Sequence, residues 1–171
     1  MQRPAMAVLV LVLGIVVASL FLYFDVSITS FGVTSVSNTP APKGLPVCFE
    51  SKGCFDAEVA ASPLARERGL MDRTSLAPNH SMLFVFPVPD QARLFWMKNM
   101  RFPLDIVWIN SEKKIVGISK NVPPCEEIHC PSFASPAPAS FVLEINAFAA
   151  DERGLKIGDR VSFPDINVFS E

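Results

Sequence analysis

One short stretch of the sequence gathers side chains that together could bind a polar ligand. Residues 95–99 read Phe-Trp-Met-Lys-Asn, and Asp105 follows shortly after them. In a strand, alternate side chains point to opposite faces, so Trp96 and Lys98 share one face. Both faces are largely apolar, which predicts a strand that is covered on both sides. Lys98 and Asn99 then need polar partners, and Asp105 is placed to pair with Lys98 or to accept hydrogen bonds from loop amides.

Two interpretations of this stretch remain open. The first is a polar pocket at a sheet end, lined by Trp96, Lys98, Asn99 and Asp105, because an aromatic ring beside such groups suits a sugar or another small polar ligand. The second is a buried pair and an amide that only fix a turn, with both tryptophans, Trp96 and Trp108, in the core.

Three arginines surround the first predicted helix, at positions 66, 68 and 73. We expect most of them to be solvated, and we keep Arg73 as a candidate for binding an anionic group of a ligand.

No catalytic residue can be named from the sequence. The chain has no G-x-S-x-G, no H-E-x-x-H and no phosphate-binding loop. An enzyme of unrecognised type using Lys98 and Asp105 is one alternative, and a hydrolase using Asp105 and Glu144 as a carboxylate pair is another. Against the second, Glu144 lies between Leu143 and Ile145, an alternation that predicts a solvent-facing side chain.

Four cysteines form two pairs that are close in sequence. Cys48 and Cys54 lie on the two arms of a predicted hairpin, and Cys125 and Cys130 bracket a short loop. We expect disulfides within each pair, as is usual in an oxidising compartment. The alternatives are free thiols or a metal site that includes His129, although these spacings are looser than in common zinc pairs. We therefore expect neither a metal nor a cofactor.

The N-terminal part of the chain has the pattern of a membrane anchor. Residues 5–24 carry no charge and would form a helix of about 30 Å, enough to cross a bilayer. The bulky end of this run favours an uncleaved anchor over a cleaved signal peptide. Arg3, in the short flank 1–4, favours a cytoplasmic N-terminus. A Pro/Ser/Thr-rich linker, 25–44, would then lead to an extracytoplasmic domain, 45–171.

Composition excludes several classes of protein. Of the 171 residues, 50% are hydrophobic and 19% are charged, which excludes a disordered chain. The net charge of −2 gives no basic surface for nucleic acid. The triplet Asn79-His80-Ser81 is a glycosylation sequon, so Asn79 is a candidate site if the host glycosylates exported proteins.

The pattern of turns and apolar runs predicts an α+β domain. It consists mainly of an antiparallel, barrel-like sheet with two short helices, preceded by the transmembrane helix. Ser62 and Pro63 begin the first helix and Gly69 ends it, while Asn146 would cap a second helix that ends at Gly154. Short strands are predicted over residues 47–50, 55–60, 82–86, 93–99, 104–110, 114–121, 140–146 and 160–163.

Several ordered motifs resemble one family. They are Ala57-Glu58-Val59-Ala60, Arg68-Gly69-Leu70-Met71-Asp72-Arg73, Met82-Leu83-Phe84-Val85-Phe86, residues 95–99, Pro103-Leu104-Asp105-Ile106, Asn121-Val122-Pro123-Pro124-Cys125 and residues 154–161. Over residues 55–163 the chain resembles the domain of unknown function 192 family, with a Cys-bracketed loop like that of archaeal and some bacterial members. Met100 is a departure, since the family more often has threonine there. The resemblance implies a compact, mainly β domain with a small helix, often behind a signal or anchor, and it implies no established activity.

The sequence thus predicts a membrane-anchored extracytoplasmic module that binds a small polar ligand or a glycan. The alternative is a structural or accessory subunit of an envelope assembly, with a protein partner, and an enzyme is the least favoured of the three.

Overall fold

The computed structural model describes residues 44–166. The predicted anchor and nearly all of the linker lie outside these residues. Within residues 44–166, no helix is long and apolar enough to cross a membrane.

The described chain is mostly sheet, with two short helices. The strands are β1 (Leu45–Phe49), β2 (Gly53–Ala60), β3 (His80–Val85), β4 (Leu94–Trp96), β5 (Leu104–Ile109), β6 (Ile115–Val122), β7 (Ser132–Ala134), β8 (Phe141–Asn146) and β9 (Val161–Ser162), and the helices are α1 (Pro63–Arg68) and α2 (Ala149–Glu152). All the strands predicted from the sequence are present, and β7 is an addition.

Seven strands form one sheet in the order β6-β5-β8-β3-β2-β1-β9. The sheet is not wholly antiparallel as predicted, because β2 and β3 pair in parallel. A parallel pair needs a crossover connection, and here the crossover contains α1. The sheet curls into a half-barrel, in line with the barrel-like prediction.

The two edge strands of this sheet approach each other at one point. Lys114, just before β6, forms an isolated bridge with Arg160, just before β9. The amide of Ile115 donates to the carbonyl of Asp159 at 3.0 Å, and the amide of Gly158 donates to the carbonyl of Ile115 at 2.8 Å. These bonds satisfy part of an otherwise open sheet edge.

Each face of the sheet carries its own apolar cluster. The inner cluster lies within the curl and includes Val107, Leu143 and Ile145. The outer cluster includes Ile106 and Trp108, and it also contains Leu70, Leu76, Met97 and Met100 from the connecting segments. Because both faces are covered, β3, β5 and β8 are almost continuously buried.

Strand β4 lies outside the main sheet and pairs only with β7. The prediction that this stretch is covered on both sides is wrong: Leu94 is 70% exposed and Trp96 is 44% exposed. Their neighbour Phe95 points inward instead, with its ring edge-on to Trp108 at 5.4 Å. Only one face of β4 therefore meets the core.

Helix α1 forms as its local sequence predicts. The hydroxyl of Ser62 accepts a hydrogen bond from the amide of Ala65 at 3.2 Å, Pro63 opens the helix, and Gly69 ends it with a φ of 49°. A Cβ at position 69 would lie 3.2 Å from Cζ of Phe84, so glycine also allows the helix end to approach the sheet closely.

Helix α2 is capped differently from the prediction. Phe148, with a φ of 71°, is the N-cap residue and its side chain forms no capping hydrogen bond. The side-chain Nδ2 of Asn146 instead donates to the carbonyl of Leu76 at 3.1 Å. The amide of Ala150, in the first turn, donates to Oδ2 of Asp105 at 2.9 Å, so a distant carboxylate takes the capping role.

Both predicted disulfides are present. Cys48 and Cys54 are direct cross-strand partners in the β1–β2 hairpin. Cys125 and Cys130 close the predicted loop. Among the described residues no cysteine is free, and no cluster of side chains could hold a metal ion.

Candidate functional site

A row of side chains crosses the outer face of the sheet. Register pairs Glu58 of β2 with Met82 of β3, Met82 with Glu144 of β8, and Glu144 with Ile106 of β5. Directly paired residues point to the same face, so two carboxyl groups flank Met82 on the outer face. Glu144 lies on β8, which has β5 on one side and β3 on the other, so its strand is not at an edge of the sheet.

Glu144 is a buried carboxyl group without a partner in the described chain. Glu144 is only 5% exposed to solvent. Within residues 44–166, no group donates a hydrogen bond to it and no cation pairs with it. Burial alone raises the pKa of Glu144 to about 8. A buried carboxyl group whose pKa is raised this far is a candidate functional group.

A small cavity of about 30 Å³ adjoins Glu144. Its wall includes Trp96, Lys98 and Arg68, the last residue of α1. The Nζ atom of Lys98 lies 5.3 Å from the centre of the Trp96 ring. A space of this size accepts about one water molecule or one polar group of a ligand.

A larger groove of about 420 Å³ lies beside this cavity. Arg68, Gly69 and Met71 border both spaces. In the groove, Arg73 holds Glu58 through two hydrogen bonds, of 2.5 and 2.7 Å. This bidentate pairing lowers the pKa of Glu58, chiefly through the hydrogen bond from Arg73. Even without the small cavity, the groove has a volume typical of small-molecule sites.

Backbone hydrogen bonds fix the segment that carries Lys98. The amide of Asn99 donates to the carbonyl of Cys125 at 2.9 Å, and the amide of Cys125 donates to the carbonyl of Met97 at 3.0 Å. On the other side, the amide of Asp72 donates to the carbonyl of Asn99 at 2.9 Å. The disulfide loop and the segment after α1 therefore hold Lys98 between them.

The structure brings together only some of the ligand-binding candidates. Trp96 and Lys98 border the same cavity, and Arg73 lies in the adjoining groove. Asn99 is exposed, and its φ of 56° shows that it forms a turn. Asp105 does not pair with Lys98: its two oxygens accept the backbone amides of residues 121 and 150, at 2.8 and 2.9 Å. Of the two roles considered for Asp105, the structure shows the acceptance of backbone amides, but these amides belong to β6 and α2 and not to a loop.

The carboxylate pair considered from the sequence is not formed. Asp105 lies opposite Ile145 and Glu144 lies opposite Ile106, so the two carboxyl groups point to opposite faces of the sheet. The prediction that Glu144 faces solvent is wrong, because segments from distant parts of the chain cover the outer face. The sequence signal for Glu144 was its position inside an otherwise apolar run.

The structure also shows the hydrogen bonds of two other candidate residues, Trp108 and Asn79. Trp108 is fully buried, and its indole nitrogen donates to the hydroxyl of Ser119 at 3.1 Å, so it belongs to the core. Asn79 is exposed, and its side-chain oxygen accepts a hydrogen bond from Arg153. Glycosylation of Asn79 stays a prediction.

Comparison with known proteins places the chain in a family. Residues 47–163 match the DUF192 family, described as "Uncharacterized ACR". A Novosphingobium aromaticivorans protein of unknown function is 30% identical, with a TM-score of 0.64 over 72% of this chain and 89% of that one. A Sinorhizobium meliloti protein described as a "putative transcription regulator" is 35% identical, with a TM-score of 0.62 over 70% of this chain and 91% of that one. No curated protein matches. The match over most of the folded domain shows that this chain belongs to the DUF192 family.

Proposed function

We propose that this domain is a binding module for a small polar ligand, and that the ligand inserts one polar group into the cavity at Glu144. The observation that carries the proposal is the buried carboxyl group of Glu144, which has no hydrogen bond within residues 44–166 and borders a cavity. A ligand would supply the missing bond, and the larger groove would hold its body. A nucleic-acid role is not favoured, because the net charge is −2.

Ligand binding can be tested with the full chain in uncharged detergent. A panel of sugars, sugar acids and polyols is added while tryptophan fluorescence and the melting temperature are recorded. We expect at least one compound to shift both, because Trp96 borders the cavity and is 44% exposed. The variant Trp96→Phe should lose the fluorescence response and keep the thermal one, since Trp108 is buried. A Glu144→Leu variant that responds as strongly as the wild type would contradict the proposal.

A second candidate is an enzyme that uses Glu144 as a general acid or base. The observation that favours it is the pKa of Glu144, which is about 8. A general acid or base is most effective when its pKa lies near the pH at which the enzyme works. The variant Glu144→Gln separates the two candidates, because it keeps the shape and a hydrogen-bonding group but cannot transfer a proton. A binding module would keep much of its affinity in this variant, whereas an enzyme would lose its turnover of the bound compound.

We also propose that residues 5–24 anchor the protein in the membrane, with the folded domain outside the cytoplasm. Two disulfides support this location, since cytoplasmic proteins rarely keep them. An accessory role in an envelope assembly would share the same location, and cross-linking in cells would reveal its protein partner.

This location predicts a pattern of thiol labelling. In cells treated with a thiol-alkylating reagent during lysis, we expect no cysteine of the chain to be labelled until a reductant is added. The protein should also stay with the membrane fraction after an alkaline wash. Labelling without reductant, or release by the wash, would contradict the outside location or the anchor respectively.

A further inference from the structure

The charged side chains around the small cavity and the groove define the class of ligand more narrowly than the volumes of these spaces do. We infer that the site takes a small hydroxylated organic anion, with a hydroxyl group placed at Glu144 and the anionic group placed between Arg68 and Lys98. This inference rests on the proposed binding function and specifies its ligand.

The side chains of two cations at the cavity are available to a ligand. Arg68 and Lys98 border the cavity of Glu144, and within residues 44–166 neither forms a salt bridge or a side-chain hydrogen bond. The third cation of the cavity, Arg66, is different, because its guanidinium donates to the backbone carbonyls of Ala61 and Val85. Two cations thus remain able to bind an anionic group through charge-assisted hydrogen bonds.

The acidic groups nearby do not cancel the positive charge at the cavity. In the small cavity, Glu67 on α1 is exposed, so solvent screens its negative charge. Glu144 is uncharged in much of the population at pH 7, because burial raises its pKa to about 8. In the groove, Glu58 is already paired with Arg73, and Asp72 is exposed. The balance at the cavity of Glu144 is therefore positive, which disfavours a cationic ligand such as an amine.

A hydroxyl group is the ligand group that best matches Glu144. A protonated carboxyl group donates one hydrogen bond and also accepts, and a hydroxyl group can do the same, so the two satisfy each other. The cavity has room for about one such group, at about 30 Å³. The remaining part of the ligand would occupy the groove of about 420 Å³, which Arg68 also borders.

Four probes with one sugar framework test this inference at pH 7 in the full chain: glucuronate, glucose 6-phosphate, glucose and glucosamine. Calorimetric titration in uncharged detergent measures each affinity. We expect one or both anions to bind about tenfold or more tightly than glucose, and glucosamine to bind least tightly, because one charge-assisted hydrogen bond has roughly this effect. Comparing the carboxylate with the phosphate identifies which anionic group the two cations prefer.

Variants locate the anion. Lys98→Gln and Arg68→Gln should each weaken binding of the preferred anion about tenfold and leave glucose binding nearly unchanged. Arg101→Gln is the matched control, because Arg101 is exposed near the same segment and borders neither space. Equal binding of glucose and the anions, or anion binding that survives both variants, would overturn the inference while the binding function stands. Failure of all four probes would overturn the inference, and failure of the wider panel as well would overturn the binding function.

Discussion

Replacing Asp105 with alanine is expected to lower the free energy of unfolding by about 3–5 kcal/mol, because it leaves buried donors without an acceptor. Asp105 is fully buried. One carboxylate oxygen accepts the amide of Asn121 at 2.8 Å and the other accepts the amide of Ala150 at 2.9 Å. Asp105→Asn should lie between alanine and the wild type, since its amide group offers one acceptor oxygen. Urea denaturation of the full chain in uncharged detergent measures the change.

An exposed aspartate provides the matched control for this experiment. Asp151 pairs with Lys120 at the surface, with 61% of its side chain exposed. Because surface ion pairs contribute little, Asp151→Ala should cost less than about 1 kcal/mol. If Asp105→Ala costs no more than Asp151→Ala, the two backbone amides find other partners and Asp105 is not the structural centre of this region.

The variant Glu144→Gln is expected to remove a loss of stability that the wild type shows as the pH rises. The ordinary pKa of this group is 4.5, and burial in the folded protein raises it to about 8. Between these pH values the folded state keeps a proton that the unfolded state has released. The unfolded state therefore binds fewer protons, and the free energy of unfolding falls as the pH increases.

The size of this effect follows from the shift in pKa. A full difference between 4.5 and about 8 corresponds to a loss on the order of 5 kcal/mol, complete only above pH 8. Glu144→Gln has no titrating group at this position, so the stability difference between variant and wild type should grow from pH 5 to pH 8.5. Denaturation curves of both proteins at several pH values measure it.

Glu58 provides a control, because its pKa is shifted downward and that of Glu144 is shifted upward. Its pKa is lowered by the hydrogen bond from Arg73, so its contribution to stability is present above pH 4.5 and is lost as the pH falls below that value. The variant Glu58→Gln should therefore differ from the wild type in the same way at every pH from 5 to 8.5. A difference for Glu144→Gln that is likewise constant over this range would show that the carboxyl group of Glu144 is solvated or paired.

Several features of the fold follow from local sequence alone. Ser62, Pro63 and Gly69 define α1, because each acts on backbone groups within one helical turn. The hairpin that joins β1 and β2 and its disulfide are local in the same sense, since Cys48 and Cys54 are direct neighbours across the turn. The family motifs also depend only on the order of residues, and they identify the DUF192 family without a structure.

The candidate site could be predicted only in part. Trp96 and Lys98 were found because they lie in one short motif, and both border the cavity. Glu144 was expected to face solvent, because the alternation around it suits a strand with one solvent-exposed face, and its burial was not predicted. Asp105 was assigned to the same site because it lies near Lys98 in sequence, but it points to the other face of the sheet.

The sequence by itself thus determined the family, the local elements, the two disulfides and, at the candidate site, the positions Trp96 and Lys98. Only the tertiary structure decided the parallel pairing of β2 with β3, the partners of Asp105 and the burial of Glu144. These depend on contacts between residues far apart in the chain: Leu70, Met97 and Met100 cover the outer face on which Glu144 lies. A period of two residues shows which side chains share a face of a strand, but it does not show which segments will cover that face.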